Sequence, residues 1–361
     1  MGVISLVYSV ISFLLELWVF ILFTGQVFFE ILYKFLFPPE LKSLDDEVIL
    51  ITGAASGIGR QVALQIAAKA RVKLVLWDVD KNGNLDLAGD LKRIGVEAFP
   101  YHVDLTQRSQ IIEAATKVRQ DVGDVSMIIN NAAVTYPQPF LESSRKPRNL
   151  ELIFKTNVFA HQYIIGEFLP KMLENRKGHI VTVASVGSFS STAFLADYVG
   201  SKHGVHGMIE SLKDELARDP FQPDIKFTTA FPYFTKSNLS GYNNSTLVRR
   251  YPFSFPMLET SAVARYIVNG IRQNKEFVYC PGYFRVLAVV ASLLPSKIVR
   301  AAKRLLTYEV ELDRTYFESI ATTPLPAPIT PLPSPPPAPA KNGTLKHKPL
   351  VPPRVPVQPG S

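Results

Sequence analysis

The chain has almost no cysteine: Cys280 stands alone among 361 residues. That excludes an internal disulfide and a cysteine-built zinc site, and it agrees with a reducing compartment. Dense basic runs are also missing. The formal net charge is +8, but the excess is spread thinly, with no Lys/Arg cluster of the kind that tracks nucleic acid. Nucleic acid is therefore not an expected partner, and a weak preference for a membrane surface suits the charge better. Metal ligands are few. His203 and His206 stand at i, i+3 with no third ligand in view, so they read as ordinary helix residues and no metal site is expected. The N-terminus lacks a basic start and a small-residue cleavage site, so it does not read as a removable signal peptide.

What the N-terminus does have is a long apolar run, Val3 to Phe37, interrupted mainly by Glu16, Glu30 and Lys34. As one helix it would be about 52 Å long at about 1.5 Å per residue, against a bilayer core of about 30 Å. It must tilt, continue along the interface or fold back near Thr24-Gly25; a hairpin in one leaflet would also suit the monolayer of a lipid droplet. Residues 1–40 are accordingly expected to be a membrane anchor. Lys34 and Lys42 follow it and no basic residue precedes it, which favours a cytosolic domain on an endoplasmic reticulum membrane or a lipid droplet.

From residue 41 to 282, strand-like and helix-like stretches alternate. The strands read as Val48–Ile51, Lys73–Trp77, Val96–His102, Val125–Ile129, His179–Ser185, Ile225–Phe231 and Glu276–Tyr279. Such alternation predicts an α/β fold: a doubly wound, Rossmann-type parallel sheet of about seven strands with helices on both faces. Pro232 to Leu258 is irregular and rich in aromatics, including Tyr233, Phe234, Tyr242, Tyr251, Phe253 and Phe255, and reads as an apolar lid or as a packed surface loop. Residues 283–321 hold an apolar stretch too short to span a bilayer, Val286 to Leu294. Lys297, Arg300, Lys303 and Arg304 follow at roughly helical spacing. This segment reads as an amphipathic helix on a membrane or as one packed on the domain. Residues 322–361 hold 14 of the 28 prolines and are expected to be disordered with polyproline II character. Within them Pro349-Leu350-Val351-Pro352-Pro353-Arg354 fits a ligand for an SH3-type partner, or a solvated linker.

Thr52-Gly53-Ala54-Ala55-Ser56-Gly57-Ile58-Gly59 joins the first strand to a helix. Glycines in that context let the backbone approach a pyrophosphate, and the helix N-terminus offers N–H groups to the anion. Asp78 closes the second strand 19 residues beyond Gly59, close to where a carboxylate meets a ribose 2′-hydroxyl. It favours NAD and repels the 2′-phosphate of NADP. Asp104, Asn131 and Ser185 fall at other strand ends, where ligands sit in such sheets. Tyr198 and Lys202 stand at i, i+4 on one helix face. An ammonium near a phenol stabilises the phenolate and makes it a usable general base. Ser185, thirteen residues upstream, offers a hydroxyl to the oxygen of a reacting alcohol or carbonyl. Asn157 is a polar residue in an apolar helix.

Taken together and in order, Thr-Gly-x3-Gly-Ile-Gly, Asp104, Asn131-Ala-Ala, Asn157, Ser185 and Tyr198-x3-Lys202 resemble the classical short-chain dehydrogenases/reductases over residues 47–281. The anchor, Val75-Leu76-Trp77-Asp78 and Asn130-Asn131-Ala132-Ala133-Val134 look more narrowly like the membrane-bound retinol dehydrogenase and 17β-hydroxysteroid dehydrogenase branch. The resemblance implies that Tyr198 is the acid/base. It implies that Lys202 lowers the tyrosine's pKa and binds the nicotinamide ribose, that Ser185 positions the substrate oxygen and that Asn157 holds a water in a proton relay. Gly53, Ser56, Gly57, Ile58, Gly59, Asp78, Asp104, Leu105, Asn131 and Ala132, with Tyr198 and Lys202, become the expected NAD contacts. Two departures stand out. Ala133 replaces a glycine, and Tyr233 follows Pro232 where the family often has Pro-Gly, so its ring is expected to crowd the nicotinamide end or shape the substrate pocket. The implied substrate is a small hydrophobic alcohol or carbonyl, retinol first, a steroid or other lipid alcohol second. Homodimerisation is left open. A different class, a lipid-droplet or endoplasmic reticulum coat protein with vestigial chemistry, is opposed by the intact Ser185, Tyr198 and Lys202.

Overall fold

The computed structural model describes residues 3–37, 40–145, 147–219, 221, 223–237, 239, 247–248, 255–307 and 309–310. The proline-rich tail, Tyr242, Tyr251 and Phe253 lie outside the described residues. Helix α1 (Val3–Leu36) runs uninterrupted through Thr24 and Gly25, with the Thr24 hydroxyl donating back to the Phe20 carbonyl. No turn forms at Gly25, so the fold-back is not seen. Within it, Tyr8–Phe29 is long and apolar enough to cross a membrane, and none of that stretch is buried in the fold.

The body of the fold is a seven-stranded parallel sheet. Its strands are β1 (Val48–Thr52), β2 (Lys73–Asp78), β3 (Glu97–His102), β4 (Met127–Asn130), β5 (Lys177–Val183), β6 (Asp224–Pro232) and β7 (Phe277–Cys280). Their spatial order is β7-β6-β5-β4-β1-β2-β3. Chain direction across the sheet reverses between β1 and β4, which opens a crevice at the strands' carboxyl ends. The central strands are apolar on both faces because both are covered. Ile49, Ile51, Leu74, Leu76, Met127, Ile129, Val181 and Val183 face one core, beneath α2 (Gly57–Ala67) and α9 (Thr260–Arg272). Leu50, Val75, Trp77, Ile128 and Ile180 face the other, beneath α4 (Arg108–Asp121), α7 (Ala160–Glu174) and α8 (Ala196–Leu216). Helix α3 (Lys81–Arg93) links β2 to β3, its start capped by Asp80.

After β4 comes a short helix, α5 (Phe140–Arg145). The long helix that the sequence predicts over Leu150 to Leu173 is continuous from α6 (Pro147–Phe154) into α7, with a π-helical turn over Lys155–Phe159 between them. A π-turn adds a residue to the helical repeat and re-aims a side chain, as is frequent at functional sites. Asn157 is the residue it re-aims. Beyond β7, α10 (Phe284–Leu293) and α11 (Ser296–Leu306) complete the body.

Candidate active site

The turn after β1 is held in a left-handed conformation by glycine. Gly53 and Gly57 have φ of +64° and +57°, a region a side chain rarely occupies. Gly59 serves a different need. A Cβ there would lie 2.1 Å from the Gly53 carbonyl oxygen, so only a bare Cα lets the start of α2 close on the turn. Ser56 stands extended before α2 with no side-chain cap. The first N–H groups of the helix therefore keep their hydrogens for an anion.

Asn131 lines the cavity and also ties two turns together. Its side-chain amide donates to the Thr52 and Gly53 carbonyls, at 2.9 and 3.1 Å. The Thr52 hydroxyl accepts in return from the backbone N–H groups of Asn131 and Ala132, at 3.0 and 3.1 Å. Thr52 thus clamps the ends of β1 and β4 together. Sequence reading missed it, because its partners lie 79 and 80 residues away; the signal available was a polar residue closing an apolar strand.

Asp78 accepts from the Ala55 and Asp80 N–H groups, each at 2.8 Å. These bonds hold its carboxylate beside the glycine turn with lone pairs to spare. Asp104 is braced by Thr106, whose N–H and hydroxyl both donate to one carboxylate oxygen. Arg60, just past Gly59, is paired with Asp90 and also reaches the Gly83 carbonyl.

At the other end of the crevice, Ser185 follows β5 and opens a short 3-10 turn, its hydroxyl oxygen accepting from the Gly187 N–H at 3.0 Å. The Ser185 hydroxyl lies near the Tyr198 phenol and favours its ionised form. Lys202, fully buried, donates from Nζ to the Val183 carbonyl at 2.9 Å, and Nζ lies 5.7 Å from the centre of the Tyr198 ring. Burial dominates both groups. It raises the Tyr198 phenol, partly offset by the nearby Ser185 hydroxyl, and it pushes Lys202 down to about 7. In the protein alone Tyr198 is therefore raised rather than lowered, because each charge is costly to form singly away from water. Forming both together offsets part of that cost.

Lys202 makes a stability prediction. Its folded pKa lies below the unfolded value of 10.5, so the unfolded chain holds the extra proton between about pH 7 and 10.5. Below about pH 7 both states are protonated and the burial penalty is complete; as pH rises through the window it is relieved. Lys202→Met should raise the melting temperature at about pH 6, and that gain should shrink by about pH 9.5. A pH-independent difference in thermal unfolding would contradict this.

Asn157 is fully engaged. Its Oδ1 accepts from the Val134 N–H at 2.8 Å, while Nδ2 donates to the Val134 carbonyl at 2.9 Å and the Ser201 hydroxyl at 3.0 Å. It acts as a side-chain rung that fixes the loop after β4 to α8, with no amide hydrogen left over for a water. The segments that follow β1 to β6, with α8, thus meet one cavity of about 650 Å³. Gly53, Ser56, Gly57, Ile58, Asp78, Asp104, Leu105, Asn131 and Ala132 line one part, and Ser185, Tyr198, Lys202 and Tyr233 line the other. Gly59 and Asn157 do not line it; they shape what does. Tyr233 is buried, its N–H bonded to the Cys280 carbonyl and its ring packed on Phe284 with centres 4.7 Å apart.

Residues 47–247 match the family model described as short chain dehydrogenase. The chain is a short-chain dehydrogenase/reductase. It is thereby an NAD(P)-dependent alcohol dehydrogenase/reductase, of the 17β-hydroxysteroid dehydrogenase branch. It is 36% identical over 274 residues to estradiol 17-beta-dehydrogenase 11 of Mus musculus, covering 76% of this chain and 88% of the relative. It is 32% identical over 300 residues to 17-beta-hydroxysteroid dehydrogenase 13 of Homo sapiens, covering 83% and 96%. A short-chain dehydrogenase/reductase from Burkholderia phymatum, solved in complex with NAD, shares the fold with a TM-score of 0.61 at 23% identity, over 70% of this chain and 94% of that one.

Proposed function

We propose that this enzyme interconverts a hydrophobic alcohol and its carbonyl at a membrane, with NAD in preference to NADP. The observation that carries the reading is that Ser185, Tyr198 and Lys202 line the same cavity as the Asp78 carboxylate, with Lys202 Nζ 5.7 Å from the Tyr198 ring centre. The residues present fit a dinucleotide. A Cβ at Gly57 would meet only Ser237 at 3.8 Å, so the missing side chain leaves open space beside the uncapped start of α2. Gly53, Ser56, Gly57, Ile58 and Ala132 would hold the pyrophosphate stretch, with Asp104 and Leu105 at the adenine side and Asp78 on the ribose diol. When bound, the nicotinamide supplies hydride acceptance and return.

The rest is done by the chain's own groups. Ser185 Oγ, oriented by the Gly187 N–H, holds the substrate oxygen. Tyr198 takes the hydroxyl proton during oxidation and returns it during reduction. Lys202, protonated, offsets the phenolate charge. Asn157 positions these groups through Val134 and Ser201 rather than by holding water with its side chain.

Asp78 sets the cofactor choice, and the pairing of Arg60 with Asp90 turns that guanidinium's charge toward α3. Asp78→Gly should narrow or reverse the preference, read as the ratio of kcat/KM with NAD to that with NADP. Tighter binding of NADP than NAD by the unmutated enzyme would contradict the assignment.

For the substrate, retinol is the reading that the anchor and strand motifs suggest. A 17β-hydroxysteroid is the second, favoured by the names of the relatives. Turnover of retinol against estradiol by the purified, lipid-reconstituted enzyme separates them, and turnover of neither would remove both. The location goes with α1: a span of this length and composition supports residence at an endoplasmic reticulum membrane or a lipid droplet.

A further inference from the structure

The charged residues that line the nucleotide half of the cavity are Asp78 and Asp104, and no lysine or arginine is among the described residues lining that half. A cation nevertheless stands close by. Arg60 is the fourth residue of α2, immediately after the glycine turn. Its guanidinium Nη1 lies 3.5 Å from the Gly83 carbonyl oxygen on α3. Gly83 is packed against the residues that hold Asp78. A Cβ on it would lie 3.2 Å from the Ala55 side chain and 2.6 Å from the Asp80 carboxylate. The N–H groups of Ala55 and Asp80 are the two that fix Asp78. Arg60 thus reaches to within one residue of the groups that fix the carboxylate. What draws it aside is Asp90. One oxygen of that carboxylate takes Nη2 of Arg60 and the other takes Nη2 of Arg93. The two links are unequal. The Arg93 side chain is 78% exposed, whereas those of Arg60 and Asp90 are 28% and 29% exposed. Water and salt therefore screen the Arg93 link far more than the Arg60 link. Asp90 lies seven residues beyond Gly83 on α3, two turns further along the same helix face. The guanidinium is accordingly pulled along α3 and away from the glycine turn.

We propose that Asp90 is a specificity-determining residue for the cofactor: by holding Arg60 along α3, it denies a 2′-phosphate the cation that would neutralise it beside Asp78. A phosphate brings up to about two negative charges near neutral pH. Placed next to the Asp78 carboxylate, it needs a counter-charge, and the planar donor fork of a guanidinium suits a phosphate best. Arg60 has the position for that task and lacks the freedom. Asp90 touches neither cofactor nor substrate in this arrangement; it is a positioning residue that acts through Arg60. Rejection of NADP is then built twice. Asp78 repels the 2′-phosphate directly, and Asp90 removes the group that could compensate, a discrimination made against the wrong ligand rather than for the right one. The inference rests on the proposed reading of Asp78 as the ribose contact.

The test uses the full chain and two fragments that share the adenosine ribose and differ in the 2′-phosphate, 5′-AMP and 2′,5′-ADP, titrated calorimetrically. Asp90→Ala should bind 2′,5′-ADP at least about tenfold more tightly than the unmutated enzyme does, the scale of one charge-assisted hydrogen bond. Its affinity for 5′-AMP should stay the same, and the gain should shrink as salt is added. Arg60→Met keeps the apolar stem and removes the charge; combined with Asp90→Ala it should abolish the gain. Asp90→Glu, which retains the carboxylate, should show none. The ratio of kcat/KM with NADP to that with NAD should follow the same order. If Asp90→Ala lowers the melting temperature, Asp90→Asn repeats the measurement with the side-chain shape kept. No gain on removing the Asp90 charge would overturn the inference. So would a gain that survives Arg60→Met, since release of Arg60 would then not be its cause, and so would equal tightening of 5′-AMP. Tighter binding of 2′,5′-ADP than of 5′-AMP by the unmutated enzyme would sink the NAD reading of Asp78, while the response to Asp90→Ala still decides the role of Asp90.

Discussion

Replacing Tyr198 with phenylalanine should lower turnover by at least about a hundredfold, the usual contribution of a positioned general acid/base. The substitution keeps the ring and removes only the hydroxyl. That hydroxyl lies near Ser185 in the cavity, so its loss leaves little else disturbed. Structural cost should therefore be small, and cofactor affinity should change much less than turnover. Lys202 would still sit 5.7 Å from the ring centre, with its Nζ on the Val183 carbonyl. The check is steady-state kinetics beside circular dichroism and cofactor titration. A variant that kept most of its activity would show that the proton moves by another group.

A methyl at Gly59 should do comparable damage by a different route. In Gly59→Ala the new carbon would lie 2.1 Å from the Gly53 carbonyl oxygen and 2.6 Å from the Asn131 amide nitrogen. The first of these is backbone and cannot rotate away, so the glycine turn must retreat from α2. Overpacking of this kind typically costs about 1–3 kcal/mol. The same displacement pulls the N–H groups of α2 away from any pyrophosphate. We expect a lower melting temperature together with at least a tenfold weaker cofactor, which corresponds to about 1.4 kcal/mol. Unchanged cofactor affinity would mean that the turn does not contact the ligand.

The contrast between these two positions shows how far the sequence could be read. Gly53, Asp78, Ser185, Tyr198 and Lys202 were legible because each depends on neighbours close in sequence or on a strand end, and local pattern carries that. The seven strands were legible for the same reason, within one or two residues at their ends. The work of Asn131 and Asn157 was not. Both side chains bind backbone across the fold, at Thr52 and Gly53 and at Val134, and local pattern does not carry such contacts. An amide side chain carries no mark of which partner it will meet when that partner lies 78 residues away. The π-turn at Lys155–Phe159 was equally hidden, since its residues continue an apolar helical pattern on either side. Tyr233 was read as a wall of the pocket. The structure keeps it there but bonds its backbone to Cys280 and packs its ring on Phe284, so it belongs to an aromatic cluster as much as to the pocket.

The clamp built by Thr52 has a thermodynamic meaning for ligand capture. Four hydrogen bonds between the ends of β1 and β4, and two more that fix the Asp78 carboxylate, are all satisfied by the polypeptide itself. These groups of the nucleotide half are thus held in place by the polypeptide before anything enters it. A dinucleotide meeting them freezes few of their rotamers, so more of its interaction energy appears as affinity.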